Sequence, residues 1–580
     1  MVGYALTHAF KGDTIMNKPS AALATGPWAL LLAAMLCVWA GICTAGAGAA
    51  SDTAADAAAT PTEDAAFDVI DAGIEAAQTA FEAGTLSAEA LARAYLQRIE
   101  TLDRAGPELN SLIAVNRDAP KDAAALDAER AASGPRGPLH GIPVIVRDNL
   151  DTLDLPTTAG SATLRGHEPL RDAFVVQRLR EAGAVILAKA NLSELTLALG
   201  RYGYSSAGGQ TRNAYNLRRA PSSAGDGTAV AASLGMLAVG TDVTGELRGP
   251  AAVSALVGLR PTPGLTSRGG VLPAALSVEV AGALTRSVRD LALVLNAIAA
   301  PDPKDPGTAL VVDRPDDYSR DLDAATLEGA RLGVVGAYRG GNKEVDRAFQ
   351  AALALLKTQG AELVDIDLPE DVLDGRRLIL DRLLETELRD QANAYLLTTE
   401  QGMPHSLAEL LRMSESPLIA GSATPVQPRR LAAYRRALQS PGLADLEYLE
   451  TLTRRLPAAR AAVVERFDTM ALDAIVLPTM LCPASSLLLD YDESYDCAAD
   501  DPYQPAYLAS VSGLPEVTLP MGWTDAGVPL GVSFVGRPFG EPRLLALARA
   551  FEQTAAARRP PELPDRPPEV LESLPLDGEG

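Results

Sequence analysis

The chain has 580 residues, 47% of them hydrophobic and 22% charged, which is ordinary globular usage and excludes wholesale disorder. Its 74 Asp and Glu outweigh 51 Lys and Arg for a net charge of −23, and aromatics are only 4%. Such a surface repels phosphate backbones and offers few stacking platforms, so nucleic acid is excluded as a partner. The four His and four Cys are too few and too scattered for a zinc cluster, and no metal or cofactor is expected.

In chain order, the first feature is an export signal. Lys11 and Lys18 precede Trp28–Cys43, an uncharged apolar run of 16 residues. Ala45-Gly46-Ala47 or Ala47-Gly48-Ala49 then fits the small-x-small cleavage rule. The run is shorter than the ~20 residues that span a bilayer. Residues 1–49 therefore read as a cleaved signal peptide, with Met1 or Met16 as the start. Cys43 lacks the small residue that a lipoprotein site needs before it. The expectation is a periplasmic or secreted protein with no membrane association after cleavage.

Residues 50–61 are an Ala-rich linker, and a single large domain is expected over 62–557. Ser87 is placed to cap a helix carrying Leu91, Tyr95, Ile99 and Leu102 on one stripe. Gly141–Asn149 reads as a buried strand. Asp172–Gly183 is an amphipathic helix that feeds the strand Ala184–Ala188. Strand and helix signals alternate through Leu291–Ala299, which implies an α/β core with helices on both faces of a sheet. Residues 301–466 read as a mostly helical insert. Val517–Pro520 and Val532–Val535 return to the sheet, and a Pro- and Glu-rich tail over 558–580 is expected to fray.

Between residues 141 and 300 the sequence becomes specific. It contains GIPVIVRDNLD (Gly141–Asp151), LPTTAGS (Leu155–Ser161), AVILAKANLSEL (Ala184–Leu195), GGQTRNAY (Gly208–Tyr215) and GTDVTGELRGPAAVSALVGLRPT (Gly240–Thr262). Further out come DAIVLPT (Asp473–Thr479) and GLPEVTLPMG (Gly513–Gly522). In this order the motifs resemble the amidase signature family, in particular its exported peptide-amidase-like branch. The resemblance implies one large α/β domain with a central mixed sheet flanked by helices on both faces. It also implies hydrolysis of carbon–nitrogen amide bonds. In that family an unprotonated Lys takes a proton from a Ser held by a cis peptide bond, and this Ser deprotonates a second, nucleophilic Ser. Backbone N–H groups of the turn before the nucleophile hold the oxyanion.

Carried over position by position, the family's Lys-Asp-Asn falls on Arg147-Asp148-Asn149, with Asp148 and Asn149 as supporting residues. Its Gly-Gly-Ser-Ser-Gly-Gly-Ser loop falls on Ser222 to Thr228, placing Ala224 at the relay position and Asp226 at a glycine. The oxyanion turn falls on Val243, Thr244 and Gly245, with Glu246 at the nucleophile and Asp242 and Arg248 supporting. The family's Ser-x-Asp-Thr-x-Gly falls on Ser277 to Gly282, with Glu279 at the acid. Ala220-Pro221 before the loop and Gly227 and Ala229 after it fix the register without a gap, so Ser222 and Ser223 are not the missing serines.

These substitutions change the chemistry. Arg stays protonated at any physiological pH and cannot act as a base. Ala224 has no proton to relay, and a carboxylate is a poor nucleophile toward amides, though it can be a general base on water. Thr244 replaces a Gly whose positive φ would aim the N–H groups.

In the resembled fold Arg147 and Glu246 face each other. The first expectation is a buried salt bridge between them; the second is that Arg147 receives a ligand carboxylate bidentately. Three functions follow as alternatives. The preferred one is a non-hydrolysing binding or regulatory module that takes a small amide or carboxylate ligand. The others are an active amidase using Glu246 as base, and a structural partner of a genuine amidase. His140 reads as a packing residue. Asp490–Asp501 lacks calcium-loop spacing and reads as a solvated acidic loop. Cys37 and Cys43 leave with the signal, and the remaining Cys482 and Cys497, 15 positions apart, are expected to pair in an oxidising compartment rather than stay as unrelated thiols.

Overall fold

Ser87 does cap the first helix needed here, α1 (Ala88–Arg98), accepting from the Ala90 N–H at 3.1 Å. Leu91 and Tyr95 of this helix and Ile99 just beyond it are fully buried, as the stripe requires. The computed structural model describes residues 67–196, 202–311, 313–487 and 492–566. The expected signal peptide (1–49) and Ala-rich linker (50–61) lie outside the described residues. No helix among the described residues is long and apolar enough to cross a membrane.

Eleven strands form one mixed sheet: β1 (Leu112–Val115), β2 (Pro143–Arg147), β3 (Val185–Ala190), β4 (Leu237–Asp242), β5 (Val257–Arg260), β6 (Val280–Thr285), β7 (Arg331–Val335), β8 (Glu362–Ile366), β9 (Ala474–Pro478), β10 (Glu516–Trp523) and β11 (Pro529–Val535). Their order across the sheet is β1-β3-β2-β4-β6-β5-β10-β11-β9-β7-β8. β2 runs parallel to β3 and β4, and β7 runs parallel to β8 and β9; antiparallel pairs join these two groups. Every residue of β2, β3, β4 and β6 is buried. That is why these segments read as unbroken apolar runs: helices cover the sheet on both faces.

The helices that bear on the site are α2 (Phe174–Glu181), α3 (Gly225–Ala231), α4 (Arg248–Val253), α5 (Val288–Ile298) and α6 (Asp381–Leu396). Gly183, at φ 83°, turns the chain from the end of α2 into β3, as the sequence implies.

Two expectations need correction, while the insert is mostly helical as expected and also contains β7 and β8. These are five-residue strands, and β8 is a partly exposed edge strand, so the periodicity of the long helices around them hides them. The tail does not fray at its start. Arg558 pairs with Asp71 at 2.5 Å and donates to the Ala255 carbonyl, while the Arg559 guanidinium lies 4.0 Å from the centre of the Trp523 ring. The acidic loop is not freely solvated either. Asp492 is buried against Arg219 at 2.5 Å and Asp501 pairs with Arg376 at 2.9 Å, so its charges hold the loop to the body. Cys482 and Cys497 form a disulfide across this loop, with a Cα–Cα distance of 5.5 Å.

Candidate active site

Arg147 is the last residue of β2 and is completely buried. Its guanidinium fits because Gly240 lies opposite on β4; a Cβ there would come within 2.7 Å of Arg147 Cζ. The charge partner is Asp226, in the first turn of α3. Arg147 Nε donates to Asp226 Oδ2 at 2.8 Å, and Nη2 lies 2.6 Å from the same oxygen. The remaining donors go to the main-chain carbonyls of Thr241 and, at 2.6 Å, Glu246. Asp226 is equally buried, and its Oδ1 accepts from the Gly227 N–H at 2.9 Å. Burial pushes its carboxyl up, and the Arg147 guanidinium opposes that shift.

Both expectations for Arg147 are thus corrected. It touches Glu246 only through the main chain, and its ion pair is with Asp226. With its donors already engaged and no surface exposed, it is not placed to receive a ligand carboxylate. The reason is geometric: α3 starts beside the end of β2, so a carboxylate in its first turn reaches the guanidinium before the Glu246 side chain does.

The Glu246 carboxylate turns back on its own loop. Its Oε2 accepts from the N–H groups of Val243 and Thr244 at 2.8 and 2.7 Å, and its Oε1 accepts from Thr244 Oγ1 at 2.7 Å. In the turn itself, Gly245 carries the positive φ (116°) and Thr244 does not, so Thr244 strains nothing. The expectation that Thr244 spoils the backbone is therefore wrong; the glycine-demanding position is Gly245, which is glycine.

Beneath the turn, Asp242 accepts from the N–H groups of Gly245 and Leu247 at 3.2 and 3.0 Å. Arg248 pairs with it at 2.7 Å and Arg260 at 3.0 Å, and Arg248 also reaches Glu516 at 2.5 Å. Burial alone would raise the Asp242 carboxyl, but the two guanidiniums hold it well below the usual carboxylate range. Asp242 and Arg248 support the turn, as expected from the motif.

In the loop before α3, Ser222 adopts φ 72° and gives its hydroxyl to a hydrogen bond with Tyr503 at 2.7 Å. A left-handed residue fits a position that the motif fills with glycine. Ser223 Oγ is buried with no hydrogen-bond partner among the described residues, and Ala224 caps α3 in extended conformation. Asn149 donates to Thr241 Oγ1 at 2.9 Å. Asp148 takes the Thr158 N–H at 3.1 Å and lies 3.3 Å from Lys189 Nζ. His140 is buried, with Nε2 at 2.9 Å from the Leu126 carbonyl, a packing role. Among the described residues no group of three or more His, Cys, Asp or Glu is placed to hold a metal ion.

The amidase family model matches residues 90–545. The chain belongs to the amidase family. Members of this family are hydrolases of carbon–nitrogen amide bonds. Over 500 residues the chain is 35% identical to a glutamyl-tRNA(Gln) amidotransferase subunit of Myxococcus xanthus, spanning 81% of this chain and 94% of that protein. A probable amidase of Arabidopsis thaliana is 32% identical over 490 residues, covering 82% of this chain and 88% of that protein. Among solved structures, the native peptide amidase of Stenotrophomonas maltophilia superposes with a TM-score of 0.75 at 37% identity, covering 85% of this chain and 98% of that one.

Sequence reasoning missed several groups in this amidase-family chain. Lys189 is buried beside the site, and burial lowers its pKa against the pull of Asp148. It cannot stand in for a base at position 147. Lys189 pairs in register with Val146, so its side chain leaves the sheet on the face opposite Arg147 and donates to Thr157 Oγ1 at 2.7 Å. A second missed set of contacts links the insert to the core: Tyr395 on α6 donates to Asp151, and His167 Nδ1 lies 2.7 Å from Glu400. Partners 244 and 233 residues apart leave no local signal.

Glu279 gives the site a pH dependence. It is fully buried, it accepts from the Ala274 N–H at 2.9 Å, and its Oε1 has no hydrogen-bond partner among the described residues. Burial, helped by the nearby Glu246 charge, raises its pKa to about 7. A raised carboxyl contributes stability that is complete below its unfolded pKa of ~4.5 and is lost as pH climbs to about 7. The loss is on the order of 3 kcal/mol. Denaturant melts from pH 4.5 to 8 should therefore show Glu279→Gln gaining on wild type by that amount as pH rises. A constant difference across the range would mean that Glu279 does not titrate there.

Proposed function

We propose that this is an exported amidase-family protein that lacks serine-relay hydrolysis and serves as a binding or regulatory module. One observation carries the reading: the Glu246 carboxylate takes the N–H groups of Val243 and Thr244, the donors that an oxyanion in this turn would need. The chain fills its own oxyanion cradle. The Arg147–Asp226 pair supports the same reading, since a guanidinium locked to a carboxylate is no base. At the relay position, Ala224 carries no hydroxyl. Glu246 is equally ill placed as a substitute base, because three donors hold both of its oxygens.

Similarity to a peptide amidase and to an amidotransferase supports an amide or carboxylate as the class of ligand. Export rests on the Trp28–Cys43 run and on the Cys482–Cys497 bond, which persists in oxidising compartments.

The test is activity. Mature protein is expected to leave peptide C-terminal amides and small aromatic amides intact, and to take no label from a serine-directed fluorophosphonate. Loss of a complete triad lowers kcat by about a million-fold in another serine hydrolase. Turnover, or a label on any serine between Ser222 and Glu246, refutes the proposal.

A further inference from the structure

A second site lies on the surface away from these residues. It is a cavity of about 570 Å³ where the segment after β2, the start of α2 and the loops at 269–270 and 302–304 meet. None of positions 147, 224, 226 or 246 lines it. Its volume falls within the range of small-molecule pockets.

The floor is built, not a gap between loops. Phe174 N donates to the Gly269 carbonyl and Asp151 N to the Gly270 carbonyl, each at 2.9 Å. Both glycines are needed for this close approach. Gly270 sits at φ +79°, and a Cβ there would lie 2.5 Å from Ala173 Cα; a Cβ on Gly269 would lie 2.6 Å from Asp302 Oδ2.

The charges of the lining divide sharply. Its two carboxylates are already occupied. Asp172 pairs with Arg180 at 3.0 Å and accepts from the Leu153 N–H at 2.9 Å. Asp302 accepts from Ser267 Oγ at 2.6 Å and from the Lys304 N–H at 2.8 Å. The two cations are not occupied: the side chains of Arg171 and Lys304 are exposed and have no ion pair or hydrogen bond among the described residues. Beside them lie the half-buried Phe174 ring and Leu153, which is 56% exposed. On a chain with a net charge of −23, two exposed cations without a direct ion-pair partner among the described residues, set beside an apolar wall on a fixed floor, are a specific arrangement.

We infer that this cavity binds a small amphipathic carboxylate, whose anion lies between Arg171 and Lys304 and whose apolar body rests on Phe174 and Leu153. The guanidinium supplies paired donors and the ammonium a mobile point charge. Burying the apolar part against the ring and Leu153 adds affinity.

Isothermal titration of the mature protein with 3-phenylpropanoate, set beside the neutral 3-phenylpropanamide, tests this. The carboxylate is expected to bind roughly tenfold more tightly than the amide. Arg171→Ala and Lys304→Ala should each weaken the carboxylate about tenfold, leave the amide unchanged, and keep the wild-type melting temperature because both side chains are exposed. Raising salt from about 0.1 to about 0.5 M should also weaken the carboxylate alone. Equal affinity for acid and amide, unchanged binding in both variants, or no binding of the acid would each overturn the inference. Because neither variant touches Arg147, Ala224, Asp226 or Glu246, none of which lines this cavity, these results are independent of whether the protein hydrolyses amides.

Discussion

Asp226→Ala should destabilise the protein by about 3–5 kcal/mol, because it strands the buried charge of Arg147. Among the described residues Asp226 is the only carboxylate that touches the Arg147 guanidinium, which has no exposed surface. Removing it leaves a buried positive charge facing two carbonyl oxygens, and Arg cannot relieve this by losing a proton. Arg147→Met combined with Asp226→Ala should recover much of the loss, because removing both members of a buried pair avoids the isolated charge. Glu246→Ala leaves the Arg147 pair intact. Its cost comes instead from the buried Val243 N–H, which loses the Glu246 carboxylate as its acceptor, about 1–3 kcal/mol for a buried donor. Urea melts of wild type and the three variants decide the matter. An Asp226→Ala protein that unfolds like wild type would mean that the pair contributes nothing to the fold.

The difference between these two carboxylates shows what the sequence can and cannot deliver. The fold was legible because the strands around the site are buried at every residue and so stand out as apolar runs bounded by turns. The sequence assigns Arg147, Ala224 and Glu246 to the motif positions through the glycines and prolines around them, and Ser222 at φ 72° is compatible with that alignment. Which charge meets which was not legible. Arg147 and Asp226 are 79 positions apart, and a motif gives the place of a side chain without its direction. Glu246 had a local alternative that outcompeted the distant guanidinium: two N–H groups and a hydroxyl within three residues. A short, well-aligned set of donors in its own turn costs little ordering entropy, whereas reaching Arg147 would leave those donors unpaired. The strands β7 and β8 were missed for a different reason, since five residues beside a long helix carry too little periodicity. Contacts such as Arg558 with Asp71 join the two ends of the described chain and leave no local trace.

Under the proposed loss of the serine relay, the same geometry predicts what it takes to build the relay back. Arg147→Lys, Ala224→Ser and Glu246→Ser together restore each relay group by type, yet the triple variant should remain nearly inert. A lysine at position 147 would inherit Asp226 as its neighbour, and an adjacent carboxylate in a buried site stabilises the ammonium form. The relay needs that amine unprotonated, so the base would be present and switched off. Adding Asp226→Gly removes the carboxylate and should raise turnover of a small aromatic amide by roughly 10²–10⁴-fold, the scale of a general-base contribution. Adding Thr244→Gly should change little, because Thr244 does not occupy the positive-φ conformation and its N–H already points at the position that the Glu246 carboxylate holds. The order of addition matters because relay groups act as a unit: Asp226→Gly in the wild-type background should give no activity at all. Single-turnover assays, with fluorophosphonate labelling of the introduced serine as a second readout, separate the cases. A triple variant as active with Asp226 in place as without it would show that this carboxylate does not control the base.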